Sequence, residues 1–336
     1  MEELDVVDLA ARLMEIDSTS GREGDVMDWV AAFLAGRDWR VIRIPVTPGG
    51  GRDDIYATCG DAPRLTFSTH LDTVPPFIPP RIDGGRLLGR GSCDAKGIAA
   101  AMMSAAERLR ARGEQVGLLF VVGEEVTHDG AHAANEFPTA SRVLINGEPT
   151  ESTLAMGTKG AVRVIVSTRG RAAHSAYPHL GRSATRDLVL LLTELEALAL
   201  PHDDVLGETT INIGGLSGGV ADNVVAPSAE ARLMARLVTP VSDLRSILER
   251  WADGRASLEW GPMVPPMRLG VVPGFETSVA SFATDVPVLS NWGTPYLFGP
   301  GSIHVAHRED EYVEIEELRG AVGAYERLAV GALAKA

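Results

Sequence analysis

The apolar run Gly117-Leu118-Leu119-Phe120-Val121-Val122 ends in a glycine and two adjacent glutamates, Glu124 and Glu125. Neighbouring carboxylates repel each other unless positive charge sits between them, so this pair points to bound cations. A second run, Leu65-Thr66-Phe67-Ser68-Thr69, ends in His70, with Asp72 two residues on. In extended geometry those two share a face, which suits an imidazole ligand oriented by a carboxylate. Asp94 lies in the Gly-rich stretch G-R-G-S-C-D-A-K-G (89–97), and Glu148 follows a third run in N-G-E-P-T. Each acid has an ordinary explanation alone; a carboxylate before a helix, for example, is favoured by the helix dipole. The conjunction is harder to dismiss, because it strands acids and a histidine together past the ends of apolar runs. Such a set is of metal-ligating type, and a few of these acids are expected to neutralise bound cations. If the segment stays extended, residues 124 and 125 project to opposite sides, one toward a cation and the other toward water.

The elements that must position these residues follow from periodicity. Residues 4–16 have helical apolar spacing, and Ser20 with Glu23 three residues on reads as a capping box for a helix over 22–35. Extended segments are expected at 39–46, 54–59 and 65–70, a helix from Gly97 to Arg112, and strands at 117–122 and 142–146. Strands alternating with helices define an α/β domain with a mixed, largely parallel sheet flanked by helices. Ligands of such sheets bind beyond the carboxyl ends of strands, where His70, Glu124, Glu125 and Glu148 fall. The middle segment reads as strand 161–168, helix 183–198, strands 208–214 and 228–238, helix 241–252 and a strand near 256–260. That β-α-β-β-α-β order is a complete ferredoxin-like α+β unit, so 159–268 is expected to be an inserted domain between 1–158 and 269–336. Beyond it the pattern predicts a helix at 276–284, a strand at 286–290, a turn at Gly299-Pro300-Gly301 and a helix from about 315.

Composition bounds the partners. With 336 residues, 45% of them hydrophobic, the chain can bury the cores of about two domains. Its net charge of −14 argues against nucleic acid. Between 159 and 268 there are 12 basic and 12 acidic residues, so all net acidity lies outside the middle segment. No uncharged run approaches the ~18 residues of a membrane span, and M-E-E-L-D-V-V-D lacks the basic start of a secretory signal. Two cysteines, Cys59 and Cys93, make no disulfide framework, so a cytoplasmic location is expected.

The ordered motifs H-L-D-T-V, G-R-G-S-C-D-A-K-G, G-E-E, G-E-P-T, G-R-A-A-H-S-A-Y-P and G-P-G-x-x-x-x-A-H resemble the acetylornithine deacetylase and succinyl-diaminopimelate desuccinylase family, from about residue 4 to the C-terminus. These are co-catalytic dizinc amide hydrolases related to aminoacylases and some carboxypeptidases. The resemblance implies that His70, Asp94 and Glu148 hold one zinc and that Asp94, Glu125 and His307 hold the other. Asp94 then bridges, Glu124 is the general base and Asp72 supports His70. Cobalt is the expected substitute metal. It further implies a cis peptide at Asp94–Ala95 and His174 as an oxyanion donor that reaches the neighbouring subunit's site in dimeric relatives. Asn223 and Arg236 match positions that bind the substrate carboxylate, and Gly301, in its turn, could add backbone N–H groups. The inserted domain is expected to act as lid and homodimer interface. In A-H-R-E-D-E-Y the context selects His307 over His304, while His128, His132, His179 and His202 read as solvent-facing or structural. Cys93 reads as a packed small residue. Many relatives carry methionine where Ala95 stands, and the chain is shorter than many of them.

The expected activity is hydrolysis of an N-acyl amino acid, an acetylornithine or acetylcitrulline of arginine biosynthesis first. Succinyl-diaminopimelate desuccinylation, carrier-linked lysine or ornithine hydrolysis, and dipeptidase or carboxypeptidase action are the alternatives within the same chemistry. A non-catalytic acyl-amino-acid binding protein is the alternative outside it.

Overall fold

A computed structural model of the chain describes residues 4–47, 49 and 51–336. These fall into two compact units. The first takes in the described residues up to Met156 with Leu269–Ser278 and Thr284–Ala336, and the second is Gly157–Arg268 with Val279–Ala283.

The first unit is built on a mixed sheet. Its strands run Arg40–Pro45, Asp53–Thr58, Val116–Val121, Leu65–His70, Val143–Asn146, Thr294–Leu297 and Leu154–Thr158 in spatial order, the chain entering the second unit within the last. Leu65–His70 lies at the centre, parallel to Val116–Val121 on one side and to Val143–Asn146 on the other, and Thr294–Leu297 continues the parallel set. Val116–Val121 and Val143–Asn146 are nearly continuous apolar runs because both faces are covered, and Leu65–His70 is buried throughout although hydroxyl residues interrupt its apolar ones. The helix Lys96–Ala111 is alanine-rich and almost wholly buried, between Val6–Met14 and Ile315–Leu333. Asp5 caps Val6–Met14 through the N–H of Val7 at 2.8 Å. Parallel strands bring their carboxyl ends to one edge, so His70, the turn after Val121 and the turn after Asn146 share that edge.

The second unit has a four-stranded antiparallel sheet in the order Thr210–Gly218, Ser228–Leu237, Gly160–Arg169, Ser257–Val264. Alternation along Gly160–Arg169 and Ser228–Leu237 turns one face inward. Val162, Val164, Val166, Ala231 and Leu233 on that face pack with Leu188 and Leu191 of Ala184–Leu195 and with Leu244, Leu248 and Trp251 of Val241–Ala252. The element order here is β-α-β-β-α-β, with a short hairpin at His202–Asp203 and Gly207–Glu208.

Three expectations fail locally. The segment at 276–284 is not a helix: Thr277–Ala280 is a strand, and Leu154 N–H donates to Glu276 O at 2.8 Å. Its β-branched Thr277 and Val279 suit that role better than a helix. No strand forms at 286–290, where Pro287 offers no N–H and Val288 and Leu289 turn back onto the carbonyl of Asp285; the strand comes later, at Thr294–Leu297. Ser20 does not cap. Its hydroxyl donates instead to Asp72 Oδ2 at 2.8 Å, and Glu23 pairs with Arg52 at 2.8 Å.

Candidate metal centre

Asp94 stands between two imidazoles. Its Oδ1 lies 3.1 Å from His70 Nε2 and its Oδ2 lies 3.2 Å from His307 Nε2. Glu125 Oε1 lies 3.1 Å from the same His307 nitrogen. Two ligands on a tetrahedral zinc with bonds of about 2.0–2.1 Å are about 3.3 Å apart, so these separations fit donors placed around cations. The ligand atoms of His70, Asp94 and Glu125 all lie within 4.8 Å of one another. Glu148 is buried at the same edge, close enough to His70 and Asp94 for each to move its ionisation. Asp94 precedes the helix Lys96–Ala111 and its peptide bond to Ala95 is cis. His307 takes a left-handed φ of 65° just before Tyr312–Glu314. His304 is exposed, and it is His307 that reaches the acids.

Asp72 organises more than His70. Its Oδ1 lies 3.3 Å from His70 Nδ1, and its main-chain carbonyl faces the same nitrogen at 3.0 Å. The two carboxylate oxygens also accept the backbone N–H groups of both glutamates, Glu124 at 3.0 Å and Glu125 at 3.2 Å. This corrects the extended geometry expected at 121–125. The strand stops at Val121, Gly123 turns left-handed at φ 73°, and the N–H groups of Thr127 and His128 fold back on Gly123 O. The glutamates part company because a turn carries them and one carboxylate pins both amides, not because strand neighbours alternate.

Burial raises the carboxyl of Glu124 well above its ordinary range, and the nearby acids Glu148, Asp285 and Glu125 push the same way. Glu148 is raised likewise, first by burial. Burial would raise Asp94 too, but hydrogen bonds from His307 and His70 hold it low. His307 is lifted to about 10 by Asp94 and then Glu125. Buried carboxylates that suppress one another's ionisation, interleaved with imidazoles, are the donor set that divalent cations neutralise.

Sequence reading missed a second group beside the first. Glu124, His128 and Asp285 offer donor atoms within 4.8 Å of one another. His128 Nδ1 lies 2.8 Å from the buried Asp285 Oδ1, and this contact raises the imidazole's pKa. That separation is a hydrogen bond, shorter than the edge between two zinc ligands, so the pair reads as an ion pair behind Glu124. Nothing in a T-H-D or T-D context announces it, because the partners are brought together only by the fold. Cys93 is buried and packs its thiol toward Glu311 and Ser302 rather than serving as a ligand.

In the second unit, His174 and Asn223 come together. Ser175 N–H donates to Asn223 O at 2.9 Å and His174 bridges to Val224. The exposed His174 ring accepts from Ala176 N–H through Nδ1 at 3.1 Å. Arg236 lies near the far end of Ser228–Leu237, opposite Ala161 and Thr210, whereas the His174 and Asn223 loops lie beyond the end where Ser228 faces Arg169. From Ser228 to Arg236 the strand rises about 27 Å at ~3.4 Å per residue, so within one chain these groups do not form a single clamp. The turn at 299–301 corrects another expectation. Gly301 N–H donates to Glu317 Oε1 at 2.9 Å and Gly299 N–H to Thr150 Oγ1 at 3.0 Å, while Pro300 has no N–H. The turn's donors are spent inside the fold and do not face a ligand.

This fold and donor set define a metal-dependent hydrolase of amide bonds. The chain belongs to the peptidase family M20/M25/M40, whose model matches residues 66–330. It is 38% identical over 335 residues to an M20-domain protein of Schizosaccharomyces pombe, covering 96% of this chain and 84% of that one. It is 37% identical to a probable carboxypeptidase of Aspergillus terreus, covering 96% and 85%. Among solved structures it is similar to a Staphylococcus aureus tripeptidase, with a TM-score of 0.81 over 99% of each chain at 19% identity. It is similar also to a dinuclear metal-binding M20 peptidase of Bacillus subtilis, with a TM-score of 0.71 over 97% and 96% at 16% identity.

Proposed function

We propose that this protein hydrolyses the amide bond of a small substrate ending in a free carboxylate, with Glu124 as general base. The observation that carries the reading is Asp94, whose two oxygens face two different imidazoles while Glu125 shares the second. His70, Asp94 and Glu148 would hold one divalent cation; Asp94, Glu125 and His307 would hold the other, with zinc as the first choice and cobalt as its substitute. Bound there, two such ions supply carbonyl polarisation and the acidification of water. Glu124 takes the proton from the attacking water and returns it to the departing amine. Asp72 keeps His70 oriented and holds the two glutamate amides apart.

A peptide bond is the first substrate class, because several relatives at 36–38% identity are named probable carboxypeptidases. A second reading, removal of an acetyl group from an acetylornithine- or acetylcitrulline-type amino acid in arginine biosynthesis, is favoured by the G-R-G-S-C-D and G-P-G-S-I contexts. Arg236 is assigned to the substrate carboxylate, which a guanidinium pairs with bidentately, alongside Asn223; His174 is assigned to the oxyanion. The separation of Arg236 from His174 and Asn223 along one strand favours a homodimer in which the two ends serve different copies. Exposed Val189, Leu190 and Leu216 on the second unit suit such an interface. Among the described residues no helix is long and apolar enough to cross a membrane, and both cysteines are free thiols, in keeping with a cytoplasmic, reducing location. The test is a substrate panel of dipeptides, C-terminally extended peptides and N-acetyl and N-succinyl amino acids, run with added zinc or cobalt. Peptide turnover that Glu124→Gln abolishes while both metals stay bound is the expected result. Turnover of acyl amino acids alone would move the assignment to the deacetylase reading. Binding without turnover of any member would overturn catalysis itself.

A further inference from the structure

Two irregular segments carry the residues that face each other across one cation position: 89–95 with Asp94, and 302–311 with His307. A buried ion pair joins them. Arg90 is 2% exposed and Glu311 is 0% exposed, and Arg90 Nη1 lies 2.5 Å from Glu311 Oε2. The other oxygen of Glu311 accepts three backbone N–H groups of the opposite segment: Gly91 at 3.0 Å, Cys93 at 3.3 Å and Asp94 itself at 3.3 Å. Arg90 in turn donates to the carbonyl of His307 at 3.3 Å and to that of Arg308 at 3.2 Å. Each segment therefore lends a charged side chain that grips the other's backbone at the residue carrying the ligand.

A buried ion pair is weak evidence for stability, since desolvation offsets much of its attraction. Here the hydrogen bonds converge on two ligand-bearing backbones that no helix or strand holds. His70 and Glu148 are placed differently. His70 closes a strand paired with Val121, and Gly147 N–H donates to Ser68 O at 2.8 Å. The sheet ladder fixes those two without help from Arg90.

We propose that the Arg90–Glu311 pair is a positioning device: it sets the separation of Asp94 and His307, and so chiefly the affinity of the cation they share with Glu125, while the sheet sets His70 and Glu148, the two ligands of the other position that Asp94 does not supply. The proposal rests on the ligand assignment given above. It is tested on the full metal-free chain by zinc titration calorimetry, with cobalt absorbance as a readout of ligand geometry. His307→Ala marks which of two binding events belongs to the second position. Arg90→Lys keeps the charge but loses the fork that reaches both carbonyls; Glu311→Gln keeps the shape and removes the charge. Both variants weaken the marked event by roughly 10- to 100-fold and alter its cobalt spectrum, while the other event, which shares only Asp94 with it, weakens at least several-fold less. Arg90→Lys is the arm that survives should Glu311→Gln fail to fold. Equal weakening of both events overturns the proposal, as does a fall in thermal midpoint with both affinities unchanged. If His307→Ala removes no event, the ligand assignment itself fails and takes the proposal with it; that result is separable because Arg90 and Glu311 are intact in that variant.

Discussion

Replacing Asp72 with asparagine changes one oxygen to an amide nitrogen and almost nothing of shape. The side chain is fully buried, so no water repairs the loss. As a carboxylate it accepts from Glu124 N–H, Glu125 N–H and Ser20 Oγ and faces His70 Nδ1. The least harmful orientation of asparagine puts its NH2 toward Ser20, whose hydroxyl can rotate to accept. The Glu125 N–H then faces a donor and is orphaned. A hydrogen bond to a charged group is worth about 1.5–3 kcal/mol, and an unsatisfied buried N–H costs about 1–3 kcal/mol. Taking about 3 kcal/mol as the share felt at the glutamate turn gives on the order of a 100-fold effect, at about 1.4 kcal/mol per tenfold. Asp72→Asn should therefore weaken zinc by roughly 10- to 100-fold and lower kcat about as much, with KM changing far less. Zinc titration of the metal-free protein, and steady-state kinetics on whichever substrate the panel identifies, measure both. A variant that binds zinc and turns over within about threefold of the parent would refute the account of Asp72 as the node of the site.

Apparent zinc affinity should climb as pH rises toward about 10, because the proton that Asp94 and Glu125 hold on His307 must leave before the nitrogen can ligate; competition with a chelator across pH reads this, and a flat profile contradicts it. Lys96 is buried, and burial pulls its pKa from 10.5 down to about 7. The unfolded chain then holds a proton that the folded chain has released between pH 7 and 10.5, so stability rises through that window. Thermal midpoints of Lys96→Met should show a flatter rise than the parent there, so the difference between variant and parent falls as pH increases. Gly123→Ala should disable the site, since a Cβ would sit 2.1 Å from Asp129 Oδ1 on a backbone already at φ 73°. Activity retained within about twofold would mean that the turn tolerates relaxation.

Val116–Val121 and Val143–Asn146 were legible because both faces are buried and nearly continuous apolar runs follow directly. His70, Glu124, Glu125 and Glu148 stood out because strand ends were visible and polar residues followed them. What lay beyond reach depends on partners remote in the chain. Ser20 satisfies the local pattern of a cap, yet Asp72, 52 residues on, takes its hydroxyl. Arg90 and Glu311 are 221 residues apart and carry no mutual signal. At 276–284 a short helical pattern lost to an available sheet edge, where pairing decides more than propensity does. The glutamate turn shows a subtler limit: the two residues were legible, but the reason for their divergence lay in Gly123 and in one distant carboxylate.

Crowding Glu124, Glu125, Glu148 and Asp94 at one sheet edge also bears on how long a chain survives. Without cations, Glu124 and Glu148 are driven toward their neutral forms, first by burial and then by neighbouring acids, which marks the fold as electrostatically unfavourable there. Each ion bound at 100 times its dissociation constant adds about 2.7 kcal/mol to the folded state. Chains made during metal scarcity would open more often, and proteases act on the open form. Metal supply would then govern the abundance of the protein through degradation, over and above its rate of turnover.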